Sequence, residues 1–444
     1  MRSKLIALIA AAPSLLGAQQ MARTTAADTT FHPISLAEAL RLANDNNVQN
    51  IVADNAIRTA NNTLRSTRAQ WYPNLQATAG QSIQQGDRLG PQNTLIPIRS
   101  LWAYNTQLQS SMTVYDGGKT RADVRTQQAT IAQQQANEVN TQFNIALQVK
   151  QAYNAVLAAR ESEAAANAQL ATAQLQLQTS IAKVNAGAAN VSDSLRSVVQ
   201  VGQAQLAILS AQNTFRTQSA TLTRLVGTTY FVTAPAADTV EHMGAVLDSA
   251  QIMALALQGP TVRAADASVA AATAAEKSAK SAYRPTISLS GSYGGSGTNA
   301  FYGVPGLHGE NLFPYSKSLG VNASFPIFNR FQRENQVAQA QINYDNAQAL
   351  ARDTRLAQQQ SVVTGFANLR NAEETMRIQQ IAVQASQEDL RVQTQRYNLG
   401  ASTLLDVVTS QQALITAQQQ LIQARLNYRN ARAQIEAAIG RELP

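Results

Sequence analysis

The chain has 444 residues, a formal charge of +8, only 14% charged and 5% aromatic residues, and no cysteine. That length exceeds one ordinary core, and the absence of cysteine excludes disulfides and thiolate metal sites. The positive charges are scattered, with no dense Lys/Arg stripe interleaved with aromatics, which argues against nucleic acid as a partner.

The first residues, "MRSKLIALIAAAPSLLGAQQ", read as a secretory signal over residues 1–18. Arg2 and Lys4 form a short positive start, Leu5 to Leu16 an apolar middle, and Leu16-Gly17-Ala18 a small-residue exit. No later run is both apolar enough and long enough to span a bilayer as a helix.

From about residue 35 the chain reads as helix, extended hairpin (about 73–116), very long helix, glycine-marked turn (about 183–193) and second long helix, ending near 227. Proline is absent from 98–234 and again from 327–443, and no glycine falls between Gly118 and Gly187. Proline breaks helices and glycine weakens them, so 119–182 is predicted as one uninterrupted helix of about 95 Å. Ile131, Val139, Ala146, Val149, Tyr153 and Val156 fall at mixed three-, four- and seven-residue spacings, with Gln and Asn between. Helices of this length imply coiled-coil packing or a helical barrel.

Residues 228–243 read as an irregular linker. The pattern then recurs over 244–441: helix, hairpin (about 285–328), a long helix matching 331–396, a turn at about 396–406, and a last helix. The recurrence is visible in the letters. "RYNLGASTLLD" (396–406) repeats the skeleton of "KVNAGAANVSD" (183–193), and the 45-residue segments they open share eleven identities without a gap, including Gln205/Gln418, Ala211/Ala424 and Gly227/Gly440.

The extended stretches alternate. Trp102, Tyr104, Leu108 and Met112 share one parity, as do Ile287, Leu289 and Tyr293, and then Leu319, Val321 and Ala323. One reading is a pair of hairpins on a soluble core. The other is a membrane sheet, but four strands cannot close a barrel, for which about eight is the minimum, so several copies must share one. Trp71, Tyr72, Trp102, Tyr104 and Tyr283 are then candidates for the membrane interface, or else ordinary packing at helix–strand junctions.

This doubled order, with "AQWYPNL" and "SAYRPTISL" before the strands, "VYDGGKTR" and "IFNRFQR" after them, and "RYNLGASTLLDVVTSQQALITAQ" at the second turn, resembles the TolC-type outer membrane efflux proteins. The resemblance covers residues 35–441. It implies a mostly α fold with a two-fold internal repeat, and a homotrimer whose 12-stranded outer membrane β-barrel continues as a long α-helical barrel across the periplasm. It also implies a passive channel of a tripartite efflux or type I secretion system, fed by an inner membrane pump through a periplasmic adaptor. The echoing stretches become the coiled-coil tips at the periplasmic mouth, with Gly187, Ala188, Gly400, Ala401 and Ser402 as adaptor contacts. Tyr397 and Asp193 match a polar pair that holds the family's closed state. Ser402 and Thr409 stand where the best-known member has Arg and a second Asp. The gate then rests on Tyr397–Asp193 and a single ring of Asp406, and Tyr397→Phe is expected to raise conductance. Asp193 and Asp406 either only cap their helices or ring the closed pore, where trimer symmetry raises their pKa and attracts cations.

Enzyme chemistry finds no footing in the sequence. "DGGKT" (116–120) lacks the first glycine of a phosphate loop, and His32, His242 and His308 make no helix-spaced metal pair, so neither cofactor nor metal is expected. The competing function is a periplasmic coiled-coil scaffold without a pore.

Overall fold

The computed structural model describes residues 31–89, 95–187, 189–235, 248–298 and 315–443. The expected signal at 1–18, Ala188 and part of 228–243 lie outside these residues.

Four helices dominate. α3 (Lys119–Asn185) and α7 (Gln332–Asn398) have 67 residues each; α4 (Val191–Val226) and α8 (Leu404–Ile439) have 36 each. All four start and stop at one offset, 213 residues, the separation of Asn185 from Asn398. At 1.5 Å per residue α3 and α7 run about 100 Å. No interior proline interrupts them, and at Gly365, buried in α7, an added Cβ would meet Ile435 of α8 at 3.5 Å.

α3 pairs with α4, and α7 with α8, as antiparallel coils. Toward the tips the buried positions fall seven apart: Ala166, Ala173 and Ser180 on α3, Ser197 and Ala204 on α4, and Ser410, Ala417, Ala424 and Ala431 on α8. Small residues at this seam let the backbones approach closely. Several seam residues are repeat identities (Ser197/Ser410, Ala204/Ala417), so the duplication preserves the packing surface.

Higher up, shorter helices pad the coils. α1 (Leu36–Asn46) covers Ile145, Val149 and Tyr153 of α3, and α5 (Ser249–Ala256) covers Leu369 and Tyr428 of the second pair. The linker is more ordered than its composition suggested. Val232–Thr233 (β4) pairs in parallel with His32–Pro33 (β1), burying Val232 completely. Two residues carry too short a pattern to read as a strand. The two repeats are tied by ion pairs between α3 and α8: Lys150 to Glu436 at 2.6 Å, and Glu161 to Arg425 at 3.3 Å and Arg429 at 3.8 Å.

The four longer strands form one sheet. β2 (Asn74–Leu89) follows α2 (Val48–Ala69); β3 (Leu95–Tyr115) leads into α3. β5 (Thr286–Thr298) follows α6 (Pro260–Ala279); β6 (Tyr315–Ser324) leads toward α7. Their order is β2-β3-β5-β6, every pair antiparallel, with β2 and β6 as open edges.

Candidate functional site

Two places carry the chemistry, the sheet and the helical tips. In the sheet, the register decides which side chains share a face. Leu108 pairs with Ala77 on one side and Tyr293 on the other, and Tyr293 pairs with Lys317. Met112 pairs with Leu289, and Leu289 with Val321. The next residue along each strand gives the opposite face: Thr78, Gln107, Gly294 and Ser316, then Gln76, Gln109, Ser292 and Ser318. Over these rows one face is thus mostly apolar and the other small or polar. Among the described residues no layer covers the apolar face: Leu75, Leu319 and Val321 are each more than 70% exposed. A sheet on a soluble core buries that face. A membrane barrel turns it to lipid and the polar face to water.

Trp71, Tyr72 and Tyr283 all stand at the foot of the sheet, and the Arg333 guanidinium lies 4.4 Å over the Tyr283 ring. Tyr104 is half-exposed on β3, seven residues above Ser111, or about 24 Å at strand rise. In a barrel whose strands tilt about 40° that run rises about 18 Å, so these aromatics stand at two separate heights of the sheet. Trp102 pairs with Ile83 near the upper level, and its side chain lies outside the described residues.

At the tips, α3 and α7 each end in a glycine turn. Gly187 and Gly400 take φ of +69° and +74°, and a Cβ at either meets nothing within 4 Å. Within this chain, backbone conformation is what calls for glycine at both. Gly400→Ala is therefore expected to cost only about 1–2 kcal/mol. Gly227→Ala, where the Cβ also meets the Asn46 carbonyl oxygen at 2.9 Å, costs more. Thermal melts followed by circular dichroism rank the two.

Tyr397 is buried one turn before Gly400, against Leu404 and Val407. Its hydroxyl lies beside that of Ser180 without a well-formed hydrogen bond among the described residues. Burial pushes the phenol's pKa up, the nearby Ser180 hydroxyl opposes that shift, and the charge of Asp193 adds to it. The expected Tyr397–Asp193 pair is thus an electrostatic neighbour relation within this chain, not a hydrogen bond. Asp193 sits in the first turn of α4, 4.0 Å from Arg196.

What grips Tyr397 is Lys183. Its ammonium lies 3.6 Å from the centre of the Tyr397 ring and donates to the Tyr397 carbonyl oxygen at 2.9 Å, joining the two hairpins. Burial lowers the pKa of Lys183. Sequence reasoning missed this residue. The available signal was its repeat mate, since Lys183 aligns with Arg396 and both place a cation in a last helical turn. Beside this link the hydroxyls of Ser180 and Ser197 meet at 3.0 Å across the first coil.

Asp406 closes a capping box. Its carboxylate accepts from the backbone N–H and the hydroxyl of Thr403, both at 2.8 Å, and its own N–H donates to Thr403 Oγ1 at 3.3 Å. The Thr403 N–H and hydroxyl, with Arg396 adding attraction, hold its pKa below the usual carboxylate value. Capping is thus an observed role of Asp406. Ser402 donates to the Gln393 carbonyl oxygen at 3.3 Å, and the Ala401 N–H donates to that of Arg396 at 2.8 Å, so both serve the turn. In the "DGGKT" stretch Asp116 caps α3, accepting from Gly118 N at 2.9 Å and Thr120 N at 2.6 Å.

The sequence profile of the outer membrane efflux proteins matches this chain twice, over residues 39–228 and 252–441.

The chain belongs to the outer membrane efflux protein family.

Among curated members, it is similar to the outer membrane protein TolC of Vibrio cholerae, 24% identical over 91% of this chain and 90% of that one. It is also similar to the outer membrane efflux protein BepC of Brucella suis, 25% identical over 71% of this chain and 68% of that one. Its fold superposes on CusC with a TM-score of 0.74 at 18% identity, covering 93% of this chain and 94% of that chain. This efflux protein is thus an outer membrane channel, mostly helical and built as a two-fold repeat. Among the described residues no helix is long and apolar enough to cross a membrane.

Proposed function

We propose that three copies of this efflux protein pair β6 of one with β2 of the next to close a 12-stranded barrel, with the long helices continuing the tube across the periplasm. The carrying observation is the sheet: four strands in register, one face apolar and bare, the other polar, with both edges open. Open edges are not tolerated in lipid, and four strands are too few to close. The tube conducts passively, taking substrate from an inner membrane pump through a periplasmic adaptor that docks at the tips around 183–193 and 396–406. Gly187, Ala188, Gly400, Ala401 and Ser402 form that docking surface. A scaffold without a pore has no use for a bare apolar sheet. Purified protein in planar bilayers is expected to give discrete single-channel currents and to stay in the outer membrane after salt washing. A protein that washes off and carries no current contradicts the channel.

Tyr397, Asp193 and Lys183 hold the closed mouth, and Asp406 ringed three times lines it. Asp406→Asn is expected to weaken block by multivalent cations severalfold in conductance titrations. Unchanged block places that carboxylate off the axis. The folded pKa of Asp406 is depressed, so its cap contributes above the ordinary value of 3.8 and is lost only as pH falls through the lower folded value.

A further inference from the structure

The two repeats build the same junction from different residues. After β3, Gly117 and Gly118 take φ of +70° and +85° to lead into α3. At the equivalent place after β6, Arg330 and Phe331 take +57° and +61°. Among the described residues these are the only non-glycine residues in the left-handed region, which penalises any Cβ. Strain kept where glycine is available points to a use for the side chains.

Phe331 and its neighbours Ile327 and Phe328 are apolar and bare. Ile327 is 87% exposed, Phe328 71% and Phe331 68%, and the two phenyl rings meet edge to face with centroids 5.5 Å apart. They stand at the foot of β6, one open edge. At the foot of β2, the other open edge, Trp71 is half-exposed and Tyr72 is 73% exposed. Clusters of this kind mark an interaction surface.

Strand direction says what covers them. The sheet alternates strictly, so β2 runs away from the helices and β6 runs back toward them. A β6–β2 pairing between copies is therefore antiparallel. It sets the residues just after Ser324 beside those just before Asn74 of the neighbour. We propose that Phe328 and Phe331 of each copy pack on Trp71 and Tyr72 of the next, forming an apolar seam at the periplasmic rim of the barrel. The inference rests on the three-copy reading above. The first repeat needs no such side chains, because the β3 foot lies inside the sheet, beside β5 of its own chain; glycine suffices there.

The chain has no native cysteine, which permits a direct test. Within one copy the feet of β2 and β6 are three strand spacings apart, about 14 Å, beyond the roughly 7 Å Cα separation that a disulfide spans. The double variant Tyr72→Cys/Phe331→Cys, oxidised in outer membranes, is expected to run as covalent dimers and trimers on non-reducing gels. Neither single variant does so. Native mass spectrometry of the same preparation reads assembly independently. An intact three-copy assembly without covalent species overturns the seam and leaves the barrel standing; monomer in both measurements overturns both. As a second arm, Phe331→Gly relieves the backbone yet is expected to lower the dissociation temperature of the detergent-resistant assembly by several degrees. An unchanged or raised temperature assigns the phenyl rings to lipid and overturns the seam.

Discussion

Replacing Gly294 by leucine is expected to abolish assembly in the outer membrane. Gly294 lies in the middle of β5, opposite Gln107 of β3. A Cβ there falls 2.5 Å from the Thr106 carbonyl oxygen and 3.0 Å from Gln107 Cα. Both are backbone atoms of a strand held on its other side by β2, so neither yields. β5 must part from β3, and each backbone group orphaned in lipid costs several kcal/mol. Gly320→Ala in β6 is the control, because its Cβ meets only the Ser290 hydroxyl at 3.7 Å. Outer membrane fractionation followed by unheated gel electrophoresis separates the outcomes. The expected pattern is no detergent-resistant oligomer for Gly294→Leu and a normal one for Gly320→Ala. Equal yields would mean that β3 and β5 do not pack this closely.

Lys183→Ala is expected to raise the open probability of the channel at least tenfold in planar bilayers. The Lys183 ammonium contributes a cation–π contact, about 0.5–2 kcal/mol, and a charged hydrogen bond, about 1.5–3 kcal/mol. Both join the end of α3 to the end of α7. Even about 1.4 kcal/mol shifts an equilibrium tenfold, and symmetry repeats the loss in every copy. Tyr397→Ala removes the ring and is expected to behave alike. Tyr397→Phe keeps ring and carbonyl and loses only the hydroxyl, which lies beside Ser180, so its conductance is expected to rise less than that of Lys183→Ala. The expectation drawn from family position has the phenol carry the link instead. A large effect of Tyr397→Phe, with none of Lys183→Ala, returns the gate to Tyr397–Asp193.

The long helices were legible because their signal is an absence sustained over dozens of residues. Without proline, and almost without glycine, nothing stops α3 or α7, and both continue to the asparagine before the turn. The strand parity was plain in three of the four strands, and the register shows that β2 shares their apolar face. The two-residue β1–β4 pairing was invisible because a pairing that short leaves no period to detect.

The site was only partly legible. Gly187 and Gly400 stand in the turns where their type placed them. Asp406 was recognised as a first-turn acid, and its capping box follows from Thr403 three residues earlier. Lys183 was missed because a cation over a ring is a tertiary fact, made by residues 214 positions apart. The strained Arg330–Phe331 junction was hidden for the opposite reason. Its sequence lacks the glycines that announce a left-handed turn, and only the backbone angles disclose it.

The most direct test is native mass spectrometry of the protein extracted from outer membranes in mild detergent. A mass of three chains is expected, since three four-stranded sheets close a 12-stranded wall and leave no edge exposed to lipid. A stable single chain in the membrane extract would contradict it, because a lone sheet with two open edges cannot span a bilayer.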